Sequence, residues 1–119
     1  MKFFAPWCRA CKGLEPKYKR VANAGDAKDV VFAQFDVQHN KKFVKSLGIL
    51  ALPNVHFYSG GESSKVLESF PCGPSKVPIL KKKLGEVRRR AGAKRQLELY
   101  LTYFPLASHI AVHCEQYRR

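Results

Sequence analysis

Trp7-Cys8-Arg9-Ala10-Cys11 restricts what this chain can fold into more than any other stretch. Two thiols at this spacing serve as a redox dithiol, supply half of a metal site, or reflect composition alone, and their setting decides. The apolar run Phe3-Phe4-Ala5 precedes them and a helix-like stretch follows from Lys12. Cys8 is therefore expected at or next to a helix N-terminus. There the unpaired backbone N–H groups and the macrodipole favour negative charge, and the thiolate is the nucleophilic form of cysteine. Cysteines in such motifs have pKa values of roughly 3.5–7.5, against about 8.5 for a free thiol. Cys11 lies one turn further on the same helix face, within reach of Cys8 for a small disulfide. This setting predicts Cys8 as the attacking sulfur and Cys11 as the resolving one.

The wider motif resembles the thioredoxin superfamily. An aromatic-rich strand leads into Trp-Cys-x-x-Cys-Lys, here Phe3-Phe4-Ala5-Pro6-Trp7-Cys8-Arg9-Ala10-Cys11-Lys12, and Pro16 stands at the family's helix kink. Ala51-Leu52-Pro53-Asn54, before Val55-His56-Phe57-Tyr58, is similar to the family's hydrophobic-Pro element. The resemblance covers roughly Lys2 to Val87. It implies an α/β, thioredoxin-like fold of minimal β-α-β-α-β-β-α order, with a mixed four-stranded sheet flanked by helices. Residues 1–90 form the expected domain and 91–119 a tail outside the resemblance. Thioredoxins carry further elements ahead of the active-site strand, whereas Met1 almost directly precedes it here. The chain is thus expected to be either the minimal fold or one truncated at its N-terminus.

The residue pattern fits this order. Leu14, Tyr18, Val21 and Ala22 recur at helical spacing, with Gly25 as the expected stop. The apolar run from Val30 to Val37 reads as a buried parallel strand. Asn40 is a candidate N-cap for a short helix that turns Phe43, Val44 and Leu47 inward and stops at Gly48. Val55–Tyr58 and Lys65–Phe70 read as antiparallel partners across a turn at Ser59-Gly60-Gly61. Ser75 is expected to cap a last helix that tolerates Pro78 in its first turn and buries Val77, Leu80, Leu84 and Val87.

The resemblance also implies roles around the dithiol. Trp7 would flank the sulfurs in an apolar docking surface, together with Arg9 and Ala10. Pro53, cis in the family, would face the dithiol and leave the backbone of Leu52 to pair with an extended substrate. Gly73 would let a partner approach closely. Cys72, just before it, is either a regulatory thiol or a buried cysteine that packs as a small hydrophobe, the latter being the expectation. Lys2 departs from the pattern, since thioredoxins keep a buried carboxylate there that is thought to accept the resolving thiol's proton. A lysine at this position favours thiolates by charge or lies exposed at a frayed terminus, the latter being the expectation. Arg9-Ala10 replaces the family's Gly-Pro or Gly-His, and a cation beside Cys8 should make the pair more oxidising.

These features imply a thiol-disulfide oxidoreductase acting on disulfide-containing proteins, with a thiol or dithiol electron partner and no bound cofactor. The rival expectation is a non-catalytic binding module that docks through its basic last helix and tail. No metal is expected. His109, His113 and Cys114 lie too far from the Cys pair for a zinc-finger spacing, and the Trp-Cys-x-x-Cys motif resembles the dithiol branches rather than iron-sulfur relatives. The formal net charge is +13, and the stretch from Lys76 to Arg95 holds nine basic residues against one acid, Glu86. Such a stripe attracts polyanions, but aromatic interleaving and nucleic-acid motifs are absent, so a solvated helix face and no nucleic-acid partner are expected. The tail from Gln96 is apolar but interrupted. It suits a membrane surface, the sheet edge left bare by a missing N-terminal strand, or sequence foreign to the domain. No leader precedes the motif, so cytoplasm or plastid is favoured over the endoplasmic reticulum lumen.

Overall fold

The computed structural model describes residues 1–59, 64–91 and 114–116. Its elements follow the expected order: β1 (Lys2–Phe4), α1 (Arg9–Ala22), β2 (Ala33–Asp36), α2 (Lys41–Ser46), β3 (Asn54–Tyr58), β4 (Val66–Pro71) and α3 (Val77–Ala91). A three-residue strand from the tail, β5 (Cys114–Gln116), follows. The sheet runs β4-β3-β1-β2-β5. β1 and β2 are parallel, with Phe3 opposite Phe35, and the other neighbours are antiparallel. The four expected strands thus form a mixed sheet with helices on both faces. β5 lies on the β2 edge, where Phe35 is opposite Cys114. Residues 92–113, including His109 and most of the apolar tail, lie outside the described residues.

Side-chain alternation along the strands sets the two faces. Val55 and Phe57 meet Leu14, Tyr18, Leu80 and Leu84 from α1 and α3. Phe3 and Phe35 meet Val44 and the half-buried Phe43 of α2, and the half-buried Leu47 at its C-cap, on the opposite face. β1 lies between β2 and β3 in the sheet, so the segment that delivers the Cys pair is anchored on both sides.

Local chemistry explains the ends of several elements and corrects three expectations. The side-chain oxygen of Asn40 accepts the Phe43 N–H at 3.0 Å and caps α2. Gly48 ends that helix with φ +70°, a conformation that costs an ordinary L-residue about 1–2 kcal/mol. α1 ends earlier than Gly25, because Asn23 caps it and donates its N–H to Lys19. Ser75 does not cap α3. A 3₁₀ turn, Pro74–Lys76, takes up the chain from Gly73, and the Lys76 N–H bonds the Gly73 carbonyl at 2.9 Å. β2 is half the length of the apolar run from Val30, since its partner β1 offers only three residues to pair with.

Lys2 overturns the expectation of a frayed, exposed terminus. It is fully buried and forms a salt bridge with Glu15 of α1. Its ammonium also lies 5.2 Å from the Phe4 ring centroid and 5.3 Å from that of Tyr18. Strand addition anchors it there, with Lys2 opposite Gln34 on one side and Val55 on the other. The Met1 amine donates to the His56 carbonyl at 2.7 Å.

His56 carries a pH-dependent part of the stability. Its ring is buried against Phe3, with the centroids 4.8 Å apart, and Nδ1 is 3.3 Å from the Tyr58 hydroxyl. Burial, with a smaller contribution from the Met1 ammonium, holds its pKa below 6.5, and burial pushes the Tyr58 phenol up to about 12. As pH falls below about 6.5, the unfolded chain takes up a proton that the folded chain resists, so stability falls. The urea midpoint is expected to drop between about pH 7 and pH 5.5, and His56→Gln is expected to remove most of that drop.

Candidate active site

Cys8 is the N-cap of α1. Its extended backbone (φ −77°, ψ 104°) turns the chain from β1 into the helix, and its carbonyl accepts the Lys12 N–H at 3.2 Å. Its sulfur accepts the Cys11 N–H at 3.2 Å. A negative charge on this sulfur would face the donor end of a helix 14 residues long, with no acid in its first turn. Cys8 and Cys11 are joined as a disulfide with 5.2 Å between their Cα atoms. Both are buried in a small cluster with Ala5, against Phe4, Val37 and Leu52.

The remaining candidates divide into exposed and buried groups. Trp7 is 69% exposed, and Arg9 and Ala10 are also exposed on the first turn of α1. Leu52 is half-buried on the sulfur cluster, and the Leu52–Pro53 peptide is cis. Pro53 is buried, and its carbonyl accepts the Cys72 N–H at 2.9 Å, which ties the proline loop to the end of β4. Gly73 adopts an ordinary extended conformation (φ −71°), and a Cβ there would meet nothing within 4 Å. The fold itself therefore does not require glycine at this position.

Cys72 fits the buried small-hydrophobe alternative rather than the regulatory thiol. It has no exposed surface and belongs to the core between the sheet, α1 and α3. Burial raises its thiol pKa, outweighing the opposing charge of Lys76. A protonated thiol without solvent access is a poor nucleophile.

Two features around the site were not foreseen. Glu15, one turn beyond Cys11, bridges the buried Lys2 and the exposed Lys19; its i+4 spacing from Cys11 and from Lys19 was the available signal. Gly13 allows α1 to approach the 3₁₀ turn, since a Cβ there would lie 3.0 Å from Pro74 Cγ. Lys17 fastens the same contact by donating to the Pro74 carbonyl at 2.9 Å. Among the described residues, no group of three or more His, Cys, Asp or Glu side chains is placed to hold a metal ion, and no helix is long and apolar enough to cross a membrane.

A mixed sheet with a Cys-x-x-Cys pair at a helix N-terminus, beside a cis-proline loop, defines the thioredoxin-like class. The family model described as Thioredoxin matches residues 1–75, and the chain belongs to the thioredoxin family. It is 38% identical over 77 residues to "Thioredoxin-like 2-2, chloroplastic" of Arabidopsis thaliana, a match covering 65% of this chain and 31% of that protein. It is 32% identical over 75 residues to "Thioredoxin-1" of Schizosaccharomyces pombe (63% and 69% covered). Against "Protein disulfide-isomerase" of Aspergillus niger it is 36% identical over 64 residues (54% and 12% covered). The chain spans about a third of the length of its chloroplastic relatives. No solved structure matches it significantly.

Proposed function

We propose that the chain is a thiol-disulfide oxidoreductase acting on protein disulfides. The observation that carries this reading is the seating of Cys8 as the N-cap of α1, bonded to Cys11 and bordered by the Leu52–Pro53 loop. In the reducing direction the Cys8 thiolate attacks one sulfur of the substrate disulfide. A mixed disulfide forms, and the other substrate sulfur leaves as a thiolate that takes a proton. Cys11, losing its own proton, then attacks the Cys8 sulfur and expels the second substrate thiolate, which is protonated in turn. Two electrons and two protons have passed to the substrate, and Cys8–Cys11 is oxidised. An external thiol or dithiol must reduce it before another cycle, and the reverse sequence oxidises or isomerises substrates.

In this reading Trp7, Arg9, Ala10 and Gly73 contact the substrate, and the Leu52 backbone pairs with an extended substrate segment beside Pro53. Residues 1–90 are the catalytic domain, and the 91–119 tail adds an edge strand to it. Insulin-disulfide reduction tests the reading. Wild-type protein with a dithiol donor is expected to accelerate reduction, and Cys8→Ser to return it to the donor-only rate. One observation favours a non-catalytic binding module instead, namely that a buried Lys2 stands where a carboxylate is expected. Equal rates for wild type and Cys8→Ser would select that alternative.

A further inference from the structure

We propose that the dithiol face selects disulfides flanked by acidic residues, an inference that rests on the oxidoreductase reading. Contacts close a continuous surface around the sulfurs. Leu52 packs on the Cys pair, Pro53 holds the Cys72 backbone, and Pro74 lies against Gly13 back on α1. Beside Cys8 this surface presents the apolar ring of Trp7, 69% exposed.

Its border is cationic. Arg9 and Lys12 are exposed on the first turn of α1. Lys17 reaches across to the Pro74 carbonyl, and Lys76 on the adjoining turn donates to the Pro71 carbonyl at 3.4 Å. The carboxylates of the bordering elements are already engaged. Glu15 is held by Lys2 and by Lys19, the latter at 3.3 Å. Asp36 accepts the Gln38 N–H at 2.9 Å and lies 3.8 Å from the His39 ring nitrogen. Among the described residues, an acidic segment approaching Cys8 would meet an excess of positive charge on the α1 side and along the Gly73–Lys76 turn. A basic segment would be repelled from the same positions. Complementary charge of this kind raises association rates by about 10–10³-fold and fades with salt.

The test compares two synthetic peptides with the same intramolecular disulfide, one flanked by Asp and Glu and the other by Lys and Arg. Neutral 2-hydroxyethyl disulfide serves as a charge-free substrate. In about 0.01 M salt the acidic peptide is expected to be reduced at least about tenfold faster than the basic one. The ratio should approach unity in about 1 M salt, where the screening length contracts from about 30 Å to about 3 Å. Lys12→Glu combined with Lys17→Glu is expected to lower the acidic-to-basic ratio by a similar factor. Equal peptide rates with hydroxyethyl disulfide still reduced would overturn the charge selection and leave the oxidoreductase reading intact. A preference that survives high salt, or survives both substitutions, would also overturn it. No reduction of any of the three substrates would overturn both readings.

Discussion

Cys11→Ser is expected to stop the reaction after its first exchange and to leave the chain covalently joined to its substrate through Cys8. The Cys8 sulfur sits at the donor end of α1 and accepts the Cys11 N–H. That backbone bond does not depend on the side chain at position 11. The nucleophile should therefore survive the substitution, while the sulfur that releases the substrate is lost. Turnover should fall to background, and a single adduct should accumulate, visible on non-reducing gels and located by peptide mass. Cys8→Ser should yield neither turnover nor adduct, because Cys11 is buried a turn inside the helix and Cys72 is sealed in the core with a raised pKa. An adduct on Cys11 in the Cys8→Ser protein would reverse the assigned roles.

The second large effect concerns stability. Lys2 is fully buried, and its salt-bridge partner is Glu15. Breaking such a pair from the acidic side leaves a buried ammonium without its counter-charge, which typically costs about 3–5 kcal/mol. Glu15 is 29% exposed, so water can offset part of the loss. Glu15→Gln is accordingly expected near the low end, about 3 kcal/mol, read from urea unfolding with an unchanged m-value. Lys2→Met should behave oppositely. It removes the buried charge, keeps packing volume beside Phe4 and Tyr18, and leaves Glu15 with Lys19 and solvent. Replacing buried charges with apolar groups is often neutral or stabilising, so Lys2→Met is expected to lie within about 1 kcal/mol of wild type or above it. Equal losses for both variants would show that the pair is a net source of stability.

The dithiol and the sheet were legible in the sequence because their signals are local. An apolar run that gives way to Cys-x-x-Cys and then to helical spacing specifies a strand, a turn and a helix N-terminus within a dozen residues. Val55–Tyr58 and its partner strand announce themselves by composition and an intervening turn. Asn40 and Gly48 bracket α2 through chemistry contained in that segment. The misreadings concern contacts between distant residues. Lys2 looks like an exposed terminal lysine until β1 is placed between β2 and β3 and Glu15 is brought over it by α1. Which of the two readings of Cys72 holds is likewise decided at a distance, where the Pro53 carbonyl draws its backbone under the loop and α3 closes over it. The tail strand β5 carries no strand signal of its own; the open edge of β2 provides its pairing partner.

The most direct test of the account is the Cys8–Cys11 reduction potential, measured by equilibrating the protein in graded glutathione buffers and trapping free thiols. The account predicts a single two-electron transition between about −270 mV, the thioredoxin value, and about −180 mV, that of protein disulfide isomerase, with Arg9 drawing it toward the oxidising end. A pair that stays reduced at every poise, or a midpoint below about −300 mV as in a structural disulfide, would contradict it.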